Sequence, residues 1–547
     1  MAAATTALIA AASARAEETA VQVANAKPAT QAVALQPAAT PPKYVVREAD
    51  GSSLFLEPPA VPDLRPYTDD AIKAKIPKGG KPTVAVRRIV EAPTLHEFTG
   101  GSGRLGEWAG RQNAHPIALF IEGGTMTAAQ LAKAVETKSH FEDLGEGVYI
   151  ARLPVVVMPG AALHLGSEVK ELRLSEERGA FLVNDGLMFI VETRITGWRE
   201  SANGPATFKE ALAFRPFIIS WGGAELYIAR STLTSLGYEA SKSFGVSISQ
   251  YSPNMDARLK RKRPTGWIIN SEFKDIYYGF YCYEADDVVV LNNTYRESII
   301  YGIDPHDRSN RLIIAHNTVA DTKKKHGIII SRAVNDSWLL WNKSVRNKLS
   351  GMVIDRNSVR NIIAYNDLFE NGTDGLTIYE SPKNLVWNNR SNSNARHGIR
   401  MRNSVDVRLY GNNAVANGLS GIYGHIRDLS GTDRDIKLDP FEQNISMVVV
   451  GGQLIFNGSG PLAIDQPLSL ELYGVDLLAP TKKVGIQLTG VLGEYQQQIL
   501  DIMVRRRGAV IIEPAHKQGR DAAPRTESEP ASKESGGGTD PDDDDGH

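Results

Sequence analysis

The sequence predicts an all-β solenoid, a parallel β-helix with coils of about 24 residues, on three observations. A Gly-apolar-x-apolar motif recurs at Gly279, Gly302, Gly327, Gly351, Gly375, Gly398 and Gly421, at intervals of 23, 25, 24, 24, 23 and 23 residues, and Gly460 and Gly485 extend the series. Two asparagine columns keep the same period. Asn293, Asn317, Asn342, Asn366, Asn389 and Asn412 sit nine or ten residues before the next glycine, and Asn347, Asn371, Asn394 and Asn417 sit four before it. Between the markers lie short β-rich pieces such as GIIIS, NLVWNN and NIIAYN, without the long apolar stripe of a helix. Stacked coils lie ~4.8 Å apart, so equivalent residues form ladders. Asparagine ladders satisfy buried backbone at turns, and the glycines are expected to permit the tight turn into the next strand.

Taken in chain order, residues 1–16 are small and apolar, end in Ala-Arg-Ala and read as a signal peptide, although a basic start is missing. Residues 17–42 are Ala, Pro, Gln and Thr and read as a disordered linker. The repeat weakens over 43–220, which is expected to hold irregular early coils, while 221–514 is the solenoid proper. Two gaps are too long for one coil. Gly245 to Gly279 is 34 residues and Gly421 to Gly460 is 39, and the insert DLSGTDRDIKLDPFEQ at 428–443 reads as a lid or rim loop. Residues 515–547 are rich in Ser, Pro, Gly and Asp, end PDDDDGH, and are expected to be a disordered acidic tail.

Composition removes several classes. No stretch of the 547 residues approaches the ~18–20 apolar residues of a membrane helix. The single cysteine, Cys282, excludes a disulfide framework and a cysteine-rich zinc site, and no histidine pair has metal-ligand context. Formal net charge is −2, but residues 520–547 carry three basic and nine acidic side chains, so the rest carries −2 + 6 = +4.

The repeat phase sorts the side chains. Positions one and three after each glycine are apolar and point inward, so two and four point outward. The outward stripe reads Asp304/His306, Ile329/Ser331, Val353/Asp355, Thr377/Tyr379, Arg400/Arg402 and Tyr423/His425; Asp307, Arg332, Arg356 and Glu380 follow at position five, and Tyr301, His326 and His397 precede their glycines. Residues 302–426 carry 17 Lys/Arg against 10 Asp/Glu. A long basic face with aromatic platforms suits an extended polyanion. A recognised nucleic-acid module is absent, and export argues against nucleic acid. Asp355 and Glu380 beside Arg356 read as an ion-pair network rather than a hydrolytic carboxylate pair.

The sharpest local feature is Gly302-Ile303-Asp304-Pro305-His306-Asp307. A proline inside a strand removes a ladder donor and needs a special position. A histidine flanked by Asp304 and Asp307, with Arg332 one coil on, can take a proton α to a carboxylate while the arginine neutralises that carboxylate. The alternative is that the two aspartates cap a turn and His306 packs beside them. His306 and His425 are five coils apart, about 24 Å, and cannot share a reacting centre.

The segments YGIDPHDRSN, TKKKHGIIISR, NKLSGMVIDRNSV, TDGLTIYES, RHGIRMRNSV and GLSGIYGHI resemble those of the periplasmic mannuronan C5-epimerases of alginate-producing bacteria, over about Tyr238 to Glu513. The resemblance implies a right-handed β-helix, an isomerase acting on alginate at polymer level, the periplasm, and work in an alginate export assembly. By position it implies His306 as base and Arg332 as carboxylate neutraliser, with Asp304 or Asp307 setting the tautomer and water as the acid. The groove residues Tyr301, His326, Asp355, Arg356, Tyr379, Arg400, Arg402 and His425 are then expected to touch the polysaccharide. No cofactor and no calcium are expected, since glycine/aspartate nonapeptide repeats are absent. A uronate lyase on the same scaffold and a non-catalytic alginate-binding export component are the alternatives.

Overall fold

The computed structural model describes residues 44–91, 95, 110–432, 434–437, 439–477 and 487–515. The signal peptide, the linker, nearly all of the acidic tail and the segment at 478–486 lie outside the described residues. Short strands stack coil on coil into three long, almost wholly parallel sheets of 15, 15 and 14 strands. Sheet 2 carries the repeat motif. Its inward residues form a continuous apolar column, Ile303, Ile328, Met352, Leu376, Ile399, Ile422 and Leu462, each no more than 1% exposed. No helix of the described residues is long and apolar enough to cross a membrane.

The asparagine columns are amide ladders. Nδ2 of Asn293, Asn317, Asn342, Asn366 and Asn389 donates to Oδ1 of the next rung at 2.9–3.1 Å, ending on Asn412. The second column runs Asn347, Asn371, Asn394, Asn417 and on to Asn457.

The marker glycines do something other than turn the chain. None of the seven from Gly279 to Gly421 has a positive φ. The left-handed corners are taken by residues with side chains, among them Trp341, Tyr365 and Asn388 before one asparagine column, and Arg332 and Ala333 or Arg356 and Asn357 after sheet 2. Glycine is needed for contact instead. A Cβ on Gly375 would lie 1.7 Å from Ser391 Oγ, 2.7 Å from Asn394 Nδ2 and 2.9 Å from the Gly398 carbonyl oxygen.

Residue 221 is not a structural boundary. Strands Ile117–Glu122, Val155–Val157, Leu182–Asn184, Ile218–Ser220 and Gly245–Ser249 pair in parallel succession, so coils are present from Ile117 within the 43–220 region and run on into the regular repeats without a break. The early coils vary in length and rest on hydroxyls. The Thr193 N–H bonds to Ser231 Oγ, the Ser231 N–H to Ser271 Oγ, and the Ser271 N–H to Asn293 Oδ1, so one ladder changes its residue type as it passes upstream.

The first described strand, Tyr44–Ala49, pairs antiparallel with Ala509–Pro514 at the far end of sheet 1. The chain then returns along the outside of that sheet. The Leu54 carbonyl accepts from Tyr410 OH (2.8 Å), Tyr67 meets Trp267 edge-on at 4.9 Å, Lys73 pairs with Glu192 (2.8 Å), and the Pro77 carbonyl accepts from Thr125 Oγ1 (2.9 Å). Thr83–Arg88 then pairs antiparallel with Ile117–Glu122 at the opposite end.

Gly375→Ala should therefore destabilise the fold by about 2–3 kcal/mol, because a ladder amide and a backbone carbonyl cannot retreat. Gly110→Ala, where no atom of the described residues lies within 4 Å of the added Cβ, should cost no stability in denaturant titration. Equal effects at the two positions would refute the contact argument.

Candidate active site

The outward stripe of sheet 2 is a single register column: Tyr283, His306, Ser331, Asp355, Tyr379, Arg402 and His425 pair rung to rung. Asp307, Arg332, Arg356 and Glu380 each follow their strand in a left-handed conformation, which turns the backbone at the edge of the sheet. Pro305 interrupts the ladder locally: between Tyr301–His306 and Ile328–Ser331 only Ile303 with Ile328 and His306 with Ser331 remain paired. Below it Cys282 is fully buried, 3.6 Å from Ser309 Oγ, and burial pushes its thiol up to about 12. It is a core residue rather than a nucleophile.

His306 Nδ1 is hydrogen-bonded to Asp307 Oδ2, with the two side chains 25% and 15% exposed. The imidazole Nδ1–H donates to that carboxylate, which leaves Nε2 as the basic nitrogen. Burial works against the charged ring, but the Asp307 charge and hydrogen bond outweigh it, so the His306 pKa is raised, with Arg332 opposing. Asp307 goes the other way. Burial would raise it, yet the His306 and Arg332 charges hold it down at about 2.

Asp304 differs from Asp307. It is 2% exposed, its Oδ1 has no hydrogen-bond partner, and burial pushes it up to about 6 against the nearby His306 charge. Tyr281, one coil earlier in register with Asp304, has its ring 6.2 Å from that of His306. Burial and then the two aspartate charges hold its hydroxyl protonated. Tyr281 was missed in the sequence, although it stands two residues after Gly279 in the same phase as Asp304.

Further along, the stripe is not the open face that alternation implies. Asp355, Arg400, Arg402 and His425 are only 2–8% exposed. Ion pairs fill the space: Asp355 with its neighbour Arg356 (3.4 Å) and, from rung to rung, Arg402 Nε with Glu380 (2.8 Å) and Arg400 with Asp374 (3.9 Å), while Arg402 stacks on the Tyr379 ring at 3.9 Å. The insert supplies the rest. Arg434 reaches Glu380 (2.9 Å), and Asp439 reaches Arg356 (3.2 Å) and Arg332 (3.9 Å). The segment read as a lid thus lies across the stripe, and Arg434 and Asp439 are contributors that no repeat position marks.

Tyr301 stacks parallel to His326 at 6.0 Å. His326, expected to meet sugar, is buried, and its Nδ1 accepts the Ser350 N–H (3.1 Å). His397 does the same for Ser420 (3.2 Å). Both rings hold the backbone of the next coil. His425 stacks on Tyr423 at 4.9 Å, far from His306.

Fold and site together define a β-helix protein with a charged stripe running across its coils, suited to an extended anionic polymer. The sequence pattern described as "right handed beta helix region" matches residues 264–428. A mannuronan C5-epimerase of Pseudomonas putida is 56% identical over 493 residues, spanning 90% of this chain and 94% of the relative. The mannuronan C5-epimerase AlgG of Azotobacter vinelandii is 56% identical over 86% of this chain and 90% of its own length. A crystal structure of the periplasmic alginate epimerase AlgG superimposes with a TM-score of 0.76 at 53% identity, covering 77% of this chain and 99% of that one. The chain belongs to the mannuronan C5-epimerase family.

A carboxyl whose folded pKa is raised costs stability once it ionises. For Asp304 the cost grows as pH rises from about 4 and is complete above about 6, at about 3 kcal/mol for the two-unit shift. Asp304→Asn should melt at a higher temperature than wild type at pH 8, and the advantage should vanish near pH 4. A variant less stable at pH 8 would contradict this account of Asp304.

Proposed function

We propose that His306 and Arg332 carry out the reaction of this chain, a mannuronan C5-epimerase that converts mannuronate to guluronate within alginate in the periplasm. The observation that carries the assignment is the His306–Asp307 pair in register beside the coil of Arg332. Arg332 meets the carboxylate on C5 and offsets the charge that develops there as H5 leaves. Neutral His306 takes H5 at Nε2, with Asp307 holding the tautomer. Reprotonation of C5 from the opposite ring face, by water, completes the inversion. Loss of the 4-O-glycosidic oxygen after the same first step would make a lyase. Tyr301, Tyr379 and Arg356 are proposed to line the path of neighbouring sugar units, with Arg400, Arg402 and Asp355, buried in ion pairs, supporting them from beneath. The reaction as proposed uses no metal or organic cofactor, and the chain is proposed to act beside the proteins that export alginate.

Proton NMR of polymannuronate incubated with the protein in chelator should show guluronate anomeric signals. His306→Ala and Arg332→Ala should lower the rate by at least ~100-fold. Unsaturated chain ends absorbing in the ultraviolet would identify a lyase instead, and unchanged polymer that still binds would favour the non-catalytic reading.

The base must be neutral, so kcat/KM should rise with pH through a value above the ordinary 6.5 of histidine. Asp307→Asn removes the charge that raises it. The rising limb should then move to lower pH while kcat falls at least ~10-fold. A limb that stays in place would remove Asp307 from this role.

A further inference from the structure

The insert arises after Ser420–His425 and reaches back four coils, about 19 Å, to Arg332. Its contacts there are specific. Arg434 bridges the insert to the sheet: Nη1 pairs with Glu380 (2.9 Å), Nε donates to the Asp439 carbonyl (2.9 Å), and Nη2 lies 3.3 Å from Asp439 Oδ1. Asp439 Oδ2 then projects between two arginines of successive coils, 3.2 Å from Arg356 Nη1 and 3.9 Å from Arg332 Nε.

That contact is electrostatically favourable but poorly formed. Asp439 Oδ2 and Arg332 Nε are both shut off from solvent, and neither makes a hydrogen bond. A carboxylate free to approach a guanidinium would take two bonds at about 2.8 Å. Asp439, tethered through Arg434, cannot.

We propose that Asp439 occupies the place of a uronate carboxylate in the free protein, and that polymer binding displaces it together with the insert. The inference rests on Arg332 being the carboxylate partner in the reaction. It assigns Arg332 and Arg356 to one anion cradle and makes Asp439 an internal competitor that sets substrate affinity. Competition multiplies the dissociation constant of every ligand that uses the cradle by one factor. Long polymers, held by many units, saturate the groove regardless, whereas short oligomers do not. His306 stands one coil upstream of Arg332 and is 25% exposed, and the Arg332 side chain is 37% exposed, so the insert blocks only the Nε edge of the carboxylate partner and leaves the base open.

The test is binding of defined mannuronate oligomers by calorimetry. Asp439→Asn should tighten the dissociation constant by about 3–10-fold, the effect of losing one partly screened ion pair, and Arg434→Ala, which cuts the other anchor, should move it the same way. In the Arg332→Ala background the gain from Asp439→Asn should shrink, since the competed group is gone. Hydrogen exchange over 426–445 in the wild type should speed up when oligomer binds. Unchanged or weaker binding by Asp439→Asn, or slower exchange with ligand, would overturn the proposal and make the insert a fixed wall. If the wild type converts polymannuronate while Asp439→Asn gains nothing, only the competition fails; if the wild type neither binds nor converts, both readings fall.

Discussion

An asparagine amide offers one acceptor oxygen and one donor nitrogen, and in the two ladders neighbouring coils use both to capacity. Asn366 Oδ1 accepts the backbone N–H and Nδ2 of Asn342, while its own Nδ2 donates to Asn389 and to the Leu339 carbonyl. A slip of one residue would leave all four buried groups unsatisfied at once, each at about 1–3 kcal/mol. The register of each coil on the next is therefore held tightly, and the chemistry inherits that precision. His306 and Arg332 are 26 positions apart in the chain and become neighbours only because the ladders allow a single stacking.

On this rigid frame two carboxylates three residues apart on one coil behave oppositely. Asp307, at the turn and beside the His306 ring and Arg332, is held ionised; Asp304, buried with one oxygen unpartnered, is held towards its neutral form. Environments that push like groups apart in pKa mark places where charge is managed for a reaction. The break in the ladder at Pro305 belongs to the same local departure from the repeat.

Much of this was legible from the chain. The glycine and asparagine columns reveal the solenoid because each coil repeats one structural role, and the DPHD segment stands out because it violates the repeat it sits in. What stayed hidden has physical reasons. The early coils kept the ladder but exchanged asparagine for Thr193, Ser231 and Ser271, so role persisted while letter changed. The glycines marked crowding rather than turning, two demands that select the same residue. Alternation predicted which side chains leave sheet 2, but not that Arg402 would be taken up by Glu380 and Tyr379 and His425 by Tyr423, nor that Arg356 would meet an insert outside the period. His326 and His397 looked like rim residues until the structure showed their ring nitrogens capping the next coil.

The segment from Tyr44 to Arg88 touches the last coils, the middle and the first coil in turn. A stack of repeats would otherwise behave as a chain of nearest neighbours, able to fray from either tip. Here the two tips share one piece of polypeptide, so loosening at one end withdraws a strand from the other and the array gains long-range cooperativity. The same arrangement fixes the order of assembly. In a chain delivered from its N-terminus, Thr83–Arg88 can pair with Ile117–Glu122 early, whereas Tyr44–Ala49 must wait until Ala509–Pro514 arrives.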